Sequence, residues 1–266
     1  MRFGICGSMV ASQPDGTGIE IVEQARDLGY DYIELSLAHL AALTDEAFDS
    51  LRGRLQASGL ACEACNNFFP RAVRLTGPEV SWPQVRQYVH TAVNRAAELG
   101  VQVIVFGSSA AKNVPEGYPI YRAWQQIVTA LQFAADEAHR KGIVIAIEPL
   151  NRQESNIVNS VAEGLALMQR VKRDKVQILA DYYHMALESE DLSILRQAGP
   201  ALRHVHFARV EGRTFPQAVE PGFQVFFKAL RANGYSGRVS VEGFSNDFYR
   251  DAAEALEVLR RLAQAE

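Results

Sequence analysis

Short apolar runs rich in β-branched residues alternate with longer amphipathic segments along the whole 266-residue chain. Each short run is hydrophobic at nearly every position, which is typical of strands in a parallel sheet that is covered on both faces. The runs predicted to be strands are 3–6, 32–35, 60–65, 103–107, 144–148, 177–181, 204–207 and 239–243.

The segments between these runs have helical spacing. In 82–99, for example, apolar residues recur on one face of a helix. Ser81 precedes this segment as a capping residue, Pro83 lies in its first turn, and Gly100 follows it where helices commonly stop. Strand, helix and glycine recur roughly every 25 to 40 residues, which predicts βαβ units with parallel strands.

No linker or abrupt change of composition divides the chain, so we predict a single domain over residues 1–266. An open doubly wound sheet is the competing architecture, and it usually carries a glycine-rich phosphate turn after its first strand. The turn here, Gly4-Ile5-Cys6-Gly7-Ser8, lacks that spacing. The eight units therefore favour an α/β fold, a single (β/α)8 barrel, in which active sites form at the carboxyl ends of the strands.

Charge and cysteine content narrow the class of protein. The net charge of −4 gives no electrostatic reason to expect a nucleic-acid partner. No apolar run approaches the roughly 18 residues that a membrane span needs, so we expect no membrane-spanning segment. Three cysteines cannot all pair within the chain, and this suits a reducing, cytoplasmic compartment. Cys62 and Cys65 form a C-x-x-C within an apolar run, so we expect core thiols, with redox or metal use as the alternative.

Four consecutive strands end in side chains that can bind a cation: Glu148, Asp181, His206 and Glu242. Each alone could be a helix cap or an ion-pair partner. Ionised carboxylates at the ends of apolar strands are costly to bury, however, and one shared metal ion would compensate all three. This ligand set favours one catalytic divalent ion, Mn²⁺ first, with Mg²⁺, Co²⁺ or Zn²⁺ as alternatives, over a sulfur-rich structural zinc site.

A second histidine lies two positions before the candidate ligand. His204 and His206 share one face of a strand because side chains alternate with a period of two. His206 is nearer the carboxyl end and is the better ligand, whereas His204 is expected to support the site or to lie in the core.

Four segments of the chain resemble a known family. They read Ile147-Glu148-Pro149-Leu150-Asn151-Arg152-Gln153-Glu154, Asp181-Tyr182-Tyr183-His184-Met185, His204-Val205-His206 and Val241-Glu242-Gly243. The chain is similar, over nearly its whole length, to sugar isomerases and epimerases of the xylose isomerase-like TIM-barrel type. Its motifs are closest to those of ketose 3-epimerases and hydroxypyruvate isomerases.

The resemblance implies roles for particular residues. It implies the same four metal ligands, with Glu148 and Glu242 also acting as acid and base. Glu154 and His184 would bind substrate oxygens, as would an arginine after the seventh strand. Arg213 matches that arginine better than Arg209, although the local spacing departs from that of the epimerases. A homodimer or homotetramer would also be usual for such a protein.

Such a site would act on a small sugar or related hydroxy-carbonyl compound. A divalent ion can stabilise the enediolate that forms when a proton leaves the carbon beside a carbonyl, so two glutamates could then epimerise or isomerise the substrate. The same enediolate could instead expel a hydroxyl group, as in a dehydratase of an inosose or dehydroshikimate. An apurinic endonuclease and a non-enzymatic barrel are less favoured.

The segment 243–247 could bind a substrate phosphate or simply cap a helix.

Overall fold

Eight parallel strands close into a barrel in the computed structural model, which describes residues 1–265. Each strand pairs with the next, and β8 pairs with β1. This confirms the predicted (β/α)8 barrel. The strands are β1 Arg2–Cys6, β2 Tyr32–Ser36, β3 Cys62–Asn66, β4 Val103–Phe106, β5 Val144–Ile147, β6 Val176–Asp181, β7 Leu202–Phe207 and β8 Arg238–Val241.

The helices surround the barrel and cover its outer face. They are α1 Val22–Leu28, α2 Leu37–Ala42, α3 Asp45–Ser58, α4 Trp82–Glu98, α5 Ser109–Lys112, α6 Ile120–Arg140, α7 Val161–Val171, α8 Tyr182–Leu187, α9 Ile194–Ala198, α10 Pro221–Ala232 and α11 Phe248–Gln264. Within residues 1–265 no helix combines the length and the apolar character that a membrane crossing requires.

Helix ends follow local sequence signals. The Thr44 hydroxyl caps α3 by accepting a hydrogen bond from the Ala47 N–H, and the Ser160 hydroxyl caps α7 at the Glu163 N–H. Gly29 ends α1 with a φ of 89°, a conformation that glycine adopts without steric cost. These signals fix where each helix turns back toward the barrel.

Side chains of the strands fill the barrel interior, as is usual for this fold. A small apolar cluster occupies the middle and consists of Tyr32, Ala64, Val103, Val105, Ala146 and Leu179. Near the beginning of the strands, the Glu63 carboxylate accepts a 2.6 Å hydrogen bond from the Arg238 guanidinium. Polar residues lie at the carboxyl ends, where the candidate site forms. Cys62 and Cys65 are buried and free, as expected of core thiols, and Cys6 is also buried and free.

Several predicted strand boundaries are wrong by one or two residues. β3 begins at Cys62 rather than at residue 60, and Gly107, Glu148 and Glu242 follow strands instead of ending them. The backbone N–H groups of the two glutamates still bond the neighbouring strands, at 3.1 Å to Phe106 O and Phe207 O. Each glutamate is therefore still held at the mouth of the barrel by one backbone hydrogen bond to the neighbouring strand.

Candidate metal and substrate site

The four residues predicted as metal ligands meet at the carboxyl ends of β5 to β8. One ligand atom from each of Glu148, Asp181, His206 and Glu242 lies within 4.8 Å of the other three, and all four side chains are buried. His206 Nδ1 is 2.9 Å from Glu148 Oε1 and 3.1 Å from Glu242 Oε2. The register pairs Asp181 with His206 on adjacent strands, which brings their side chains to the same depth.

The electrostatics of this cluster suit a cation. Burial and the charge of Glu242 raise the pKa of Glu148. Although burial opposes the effect, the charges of His206 and Arg213 hold the pKa of Glu242 well below its usual range. Neighbouring carboxylates raise the pKa of His206 against the effect of its burial. Three buried carboxylates around one imidazole are an arrangement that a divalent ion would neutralise.

Asp181 caps a helix with one carboxylate oxygen and faces the cluster with the other. Its Oδ1 caps α8 by accepting hydrogen bonds from Tyr183 N at 2.7 Å and His184 N at 3.4 Å. Its Oδ2 faces the cluster and is buried, with no hydrogen-bond partner among residues 1–265. Its nearest cationic group is the Arg213 guanidinium, whose Nη2 is 3.7 Å away, too far for a hydrogen bond. A buried carboxylate oxygen without a hydrogen bond is costly, so this atom fits a metal ligand.

His184 lies beside the cluster with its ring orientation fixed. Its Nδ1 accepts hydrogen bonds from Asn151, at 3.2 Å from the backbone N–H and 2.8 Å from Nδ2. The proton of a neutral ring is then on Nε2, which is 3.6 Å from Asp181 Oδ2 and makes no hydrogen bond within the described chain. The Nε2–H is therefore a donor available to a ligand of the site.

Arg213 reaches the cluster from the loop after β7. Its Nη2 is 2.6 Å from Glu242 Oε2, its Nη1 is 3.3 Å from Glu154 Oε1, and its guanidinium lies 4.7 Å from the centre of the Tyr183 ring. Arg209 instead pairs with Glu220 at 2.8 Å, away from the cluster. Of the two candidate arginines, the structure brings only Arg213 to the site.

The structure also brings to the site three residues that the sequence analysis did not select. Asn66, the last residue of β3, donates a 2.8 Å hydrogen bond to Glu242 Oε1. The Glu34 carboxylate lies 2.8 Å from His204 Nε2 and 3.0 Å from His206 Nε2. Gly107 leaves room for Glu148, because a Cβ there would lie 2.1 Å from Glu148 Oε2. Glu34 and Asn66 are polar residues in buried strands, and this signal was available in the sequence.

The loop after β8 caps a helix. Asp247 Oδ1 accepts a hydrogen bond from Arg250 N at 3.4 Å at the beginning of α11. In the first turn, Asp251 Oδ2 accepts a 2.7 Å hydrogen bond from Ser245. Two carboxylates at this helix terminus would repel a phosphate group, so the cap is the better of the two interpretations of 243–247.

Comparison with known proteins agrees with the fold. Residues 22–263 match the family described as xylose isomerase-like TIM barrel. The chain is 28% identical to the ketose 3-epimerase of Arthrobacter globiformis, over 98% of this chain and 90% of that protein. It is 32% identical to the L-ribulose 3-epimerase of Methylomonas sp. (strain DH-1), over 82% of this chain and 76% of that protein.

A solved structure with similar architecture is that of the D-psicose 3-epimerase from Clostridium cellulolyticum H10 with D-tagatose, with a TM-score of 0.86, 21% identity and full coverage of both chains. Both relatives compared by sequence are named as epimerases, which confirms the prediction of an isomerase or epimerase. Since the family match covers most of the sequence, the chain belongs to the xylose isomerase-like TIM barrel family.

Proposed function

We propose that this protein is a divalent-metal-dependent epimerase that inverts carbon 3 of a ketose. The observation that carries the proposal is the buried cluster of three carboxylates and one imidazole at the barrel mouth, together with relatives named as ketose 3-epimerases. Glu148, Asp181, His206 and Glu242 would hold the ion, for which Mn²⁺ is the first candidate. Bound there, the ion would supply positive charge to stabilise the anion that forms when a carbon-bound proton is removed.

Glu148 and Glu242 would move the proton. They reach the cluster from β5 and β8, and the His206 imidazole lies between their carboxylates. A carboxylate on one side of the carbon can take the proton while the carboxyl group on the other side returns one. Return to the opposite face inverts the carbon, which is epimerisation.

The residues around the two glutamates would hold the substrate. The His184 Nε2–H and the Arg213 guanidinium are donors next to the cluster, and Glu154 is an acceptor linked to Arg213. Such a mixture of donors and acceptors suits sugar hydroxyl groups. Asp247 and Asp251 at the beginning of α11 would repel a phosphate group. We therefore expect the substrate to be an unphosphorylated ketose.

A product assay tests the proposal. The purified protein with Mn²⁺ would be incubated with D-fructose, D-tagatose and L-ribulose, and the products analysed by NMR spectroscopy. We expect one of these ketoses to be converted to its C3 epimer. Glu148→Gln and Glu242→Gln should each abolish conversion, whereas Glu98→Gln, the same change at an exposed position on α4, should not.

Two outcomes would contradict the proposal. Conversion to an aldose would indicate an isomerase that returns the proton to the neighbouring carbon. New absorbance from a conjugated double bond, with an inosose or dehydroshikimate as substrate, would indicate the dehydratase instead.

A further inference from the structure

A fully buried carboxylate lies directly beneath the candidate metal site. Glu34 is in β2, three strands from β7 around the closed barrel, and its side chain has no exposed surface. One carboxylate oxygen, Oε2, is 2.8 Å from His204 Nε2, and the other, Oε1, is 3.0 Å from His206 Nε2. A single carboxylate thus joins both histidines of β7.

These contacts decide where the imidazole protons lie. An ionised carboxylate only accepts hydrogen bonds, so each histidine must present an N–H to it. His206 therefore carries a proton on Nε2, and an ion bound at Nδ1 would displace the proton that Nδ1 otherwise shares with Glu148. The opposite ring nitrogen, Nδ1, points to Glu148 and Glu242 and is the only nitrogen of this ring that can bind an ion there.

We propose that Glu34 is a positioning residue of the metal site, which holds the His206 ring with its proton on Nε2 and its Nδ1 directed at the ion. The inference rests on the function proposed above, because it assumes that the cluster binds a metal. Carboxylates that accept a hydrogen bond from a metal-binding histidine fix its orientation and make it a stronger ligand.

The neighbours of Glu34 keep its carboxylate in one place. The Ser240 hydroxyl donates a 2.6 Å hydrogen bond to Oε2 and lies 2.8 Å from the Tyr32 hydroxyl. With His204 on the same oxygen, Oε2 has two donors and Oε1 has one. The role of His204 in this arrangement is to help hold Glu34, which explains two histidines on one face of β7.

A second metal site is the alternative interpretation of these residues. Cys6, Glu34 and His206 also offer three ligand atoms within 4.8 Å of one another. The two imidazole protons already occupy the carboxylate oxygens of Glu34, however, and an ion there would have to displace them. We therefore expect one ion per chain rather than two.

Metal affinity provides the first test, with Glu34→Gln as the variant. The control is Glu63→Gln, which removes another buried carboxylate from the barrel but at its opposite end, where Glu63 pairs with Arg238. Titration of Mn²⁺ into metal-free protein should give a dissociation constant raised on the order of 10- to 100-fold in Glu34→Gln. The control should keep the wild-type value.

Wild-type affinity in a folded Glu34→Gln variant would overturn the inference, and so would two equivalents of ion per wild-type chain. If the wild-type protein bound no ion at all, the proposed function would fail instead, so the two failures can be told apart.

A second test needs no change at Glu34. In ¹⁵N-histidine-labelled wild-type protein loaded with Zn²⁺, NMR spectroscopy should show the His206 ring with a proton on Nε2 and with Nδ1 bound to the ion, the signal being assigned from a His206→Asn variant. A His206 ring with its proton on Nδ1 would refute the inference even if Glu34→Gln did not fold.

Discussion

The space left by Gly107 allows a specific prediction about the candidate metal site. Gly107 follows β4 and faces the Glu148 carboxylate, and an added Cβ would lie 2.1 Å from Glu148 Oε2. Non-bonded contacts of a Cβ are essentially never shorter than 3.0 Å. In Gly107→Ala the carboxylate oxygen must therefore move by about 0.9 Å or more.

A shift of that size should change the stability of the fold little but should weaken metal binding and catalysis strongly. Metal–ligand distances are tolerated to about 0.2 Å, and a misplacement of about 1 Å at a reacting group can cost on the order of 10²-fold in rate. The displaced atom is at the end of a rotatable side chain and Gly107 does not have a positive φ, so the backbone can stay where it is. We expect kcat to fall about 100-fold, while the free energy of unfolding changes by no more than about 1 kcal/mol.

The assay pairs ketose turnover with Mn²⁺ titration and urea unfolding. Gly53→Ala is the matched control, because Gly53 lies in α3 and a Cβ there would meet no atom within 4 Å. It should retain full activity and be slightly more stable, since alanine is favoured over glycine in a helix by about 1 kcal/mol. If Gly107→Ala bound the ion and turned over ketose as the wild type does, the deduced position of Glu148 would be refuted.

Two further predictions concern hydrogen bonds, one at the candidate site and one at the beginning of α11. Asn66→Ala removes the 2.8 Å hydrogen bond to Glu242 Oε1, and because such a bond to a charged group contributes about 1.5–3 kcal/mol, kcat should fall about 10- to 100-fold. An unchanged kcat would contradict a positioning role for Asn66. At Asp251, hydrogen bonds from Ser245 and neighbouring groups hold the pKa below its ordinary 3.8 although burial raises it. The carboxylate therefore adds stability above its unfolded pKa, and this is lost as the pH falls through the lower folded value. Asp251→Asn should lower the melting temperature at pH 7, and its difference from the wild type should shrink below about pH 4; a difference independent of pH would be the contrary result.

The barrel and the four clustered residues could be predicted because each depends on a local pattern. Apolar runs of parallel strands, helical spacing between them and ionisable residues at the ends of strands are all visible within a few neighbouring positions. Closure of the barrel then brings the ends of β5 to β8 to one place, so Glu148 and Glu242 meet although they are far apart in sequence.

The supporting residues could not be assigned because their roles depend on contacts across the barrel. Glu34 is 172 positions from His206, and Asn66 is 176 positions from Glu242. Which side chains face each other across a closed sheet depends on register and strand tilt, and neither is written in one segment. The need for glycine at position 107 likewise arises from the side chain of Glu148, which follows the neighbouring strand.

Proton transfer at carbon 3 is the central claim, and solvent deuterium tests it most directly. The wild-type protein with Mn²⁺ would be incubated in D₂O with the ketose that it converts, and carbon 3 would be followed by ¹H NMR spectroscopy. We expect deuterium at carbon 3 in the epimer, and none after the ion is removed with a chelator or in Glu148→Gln. Epimer formed without deuterium at carbon 3, or with the ion removed, would contradict the account.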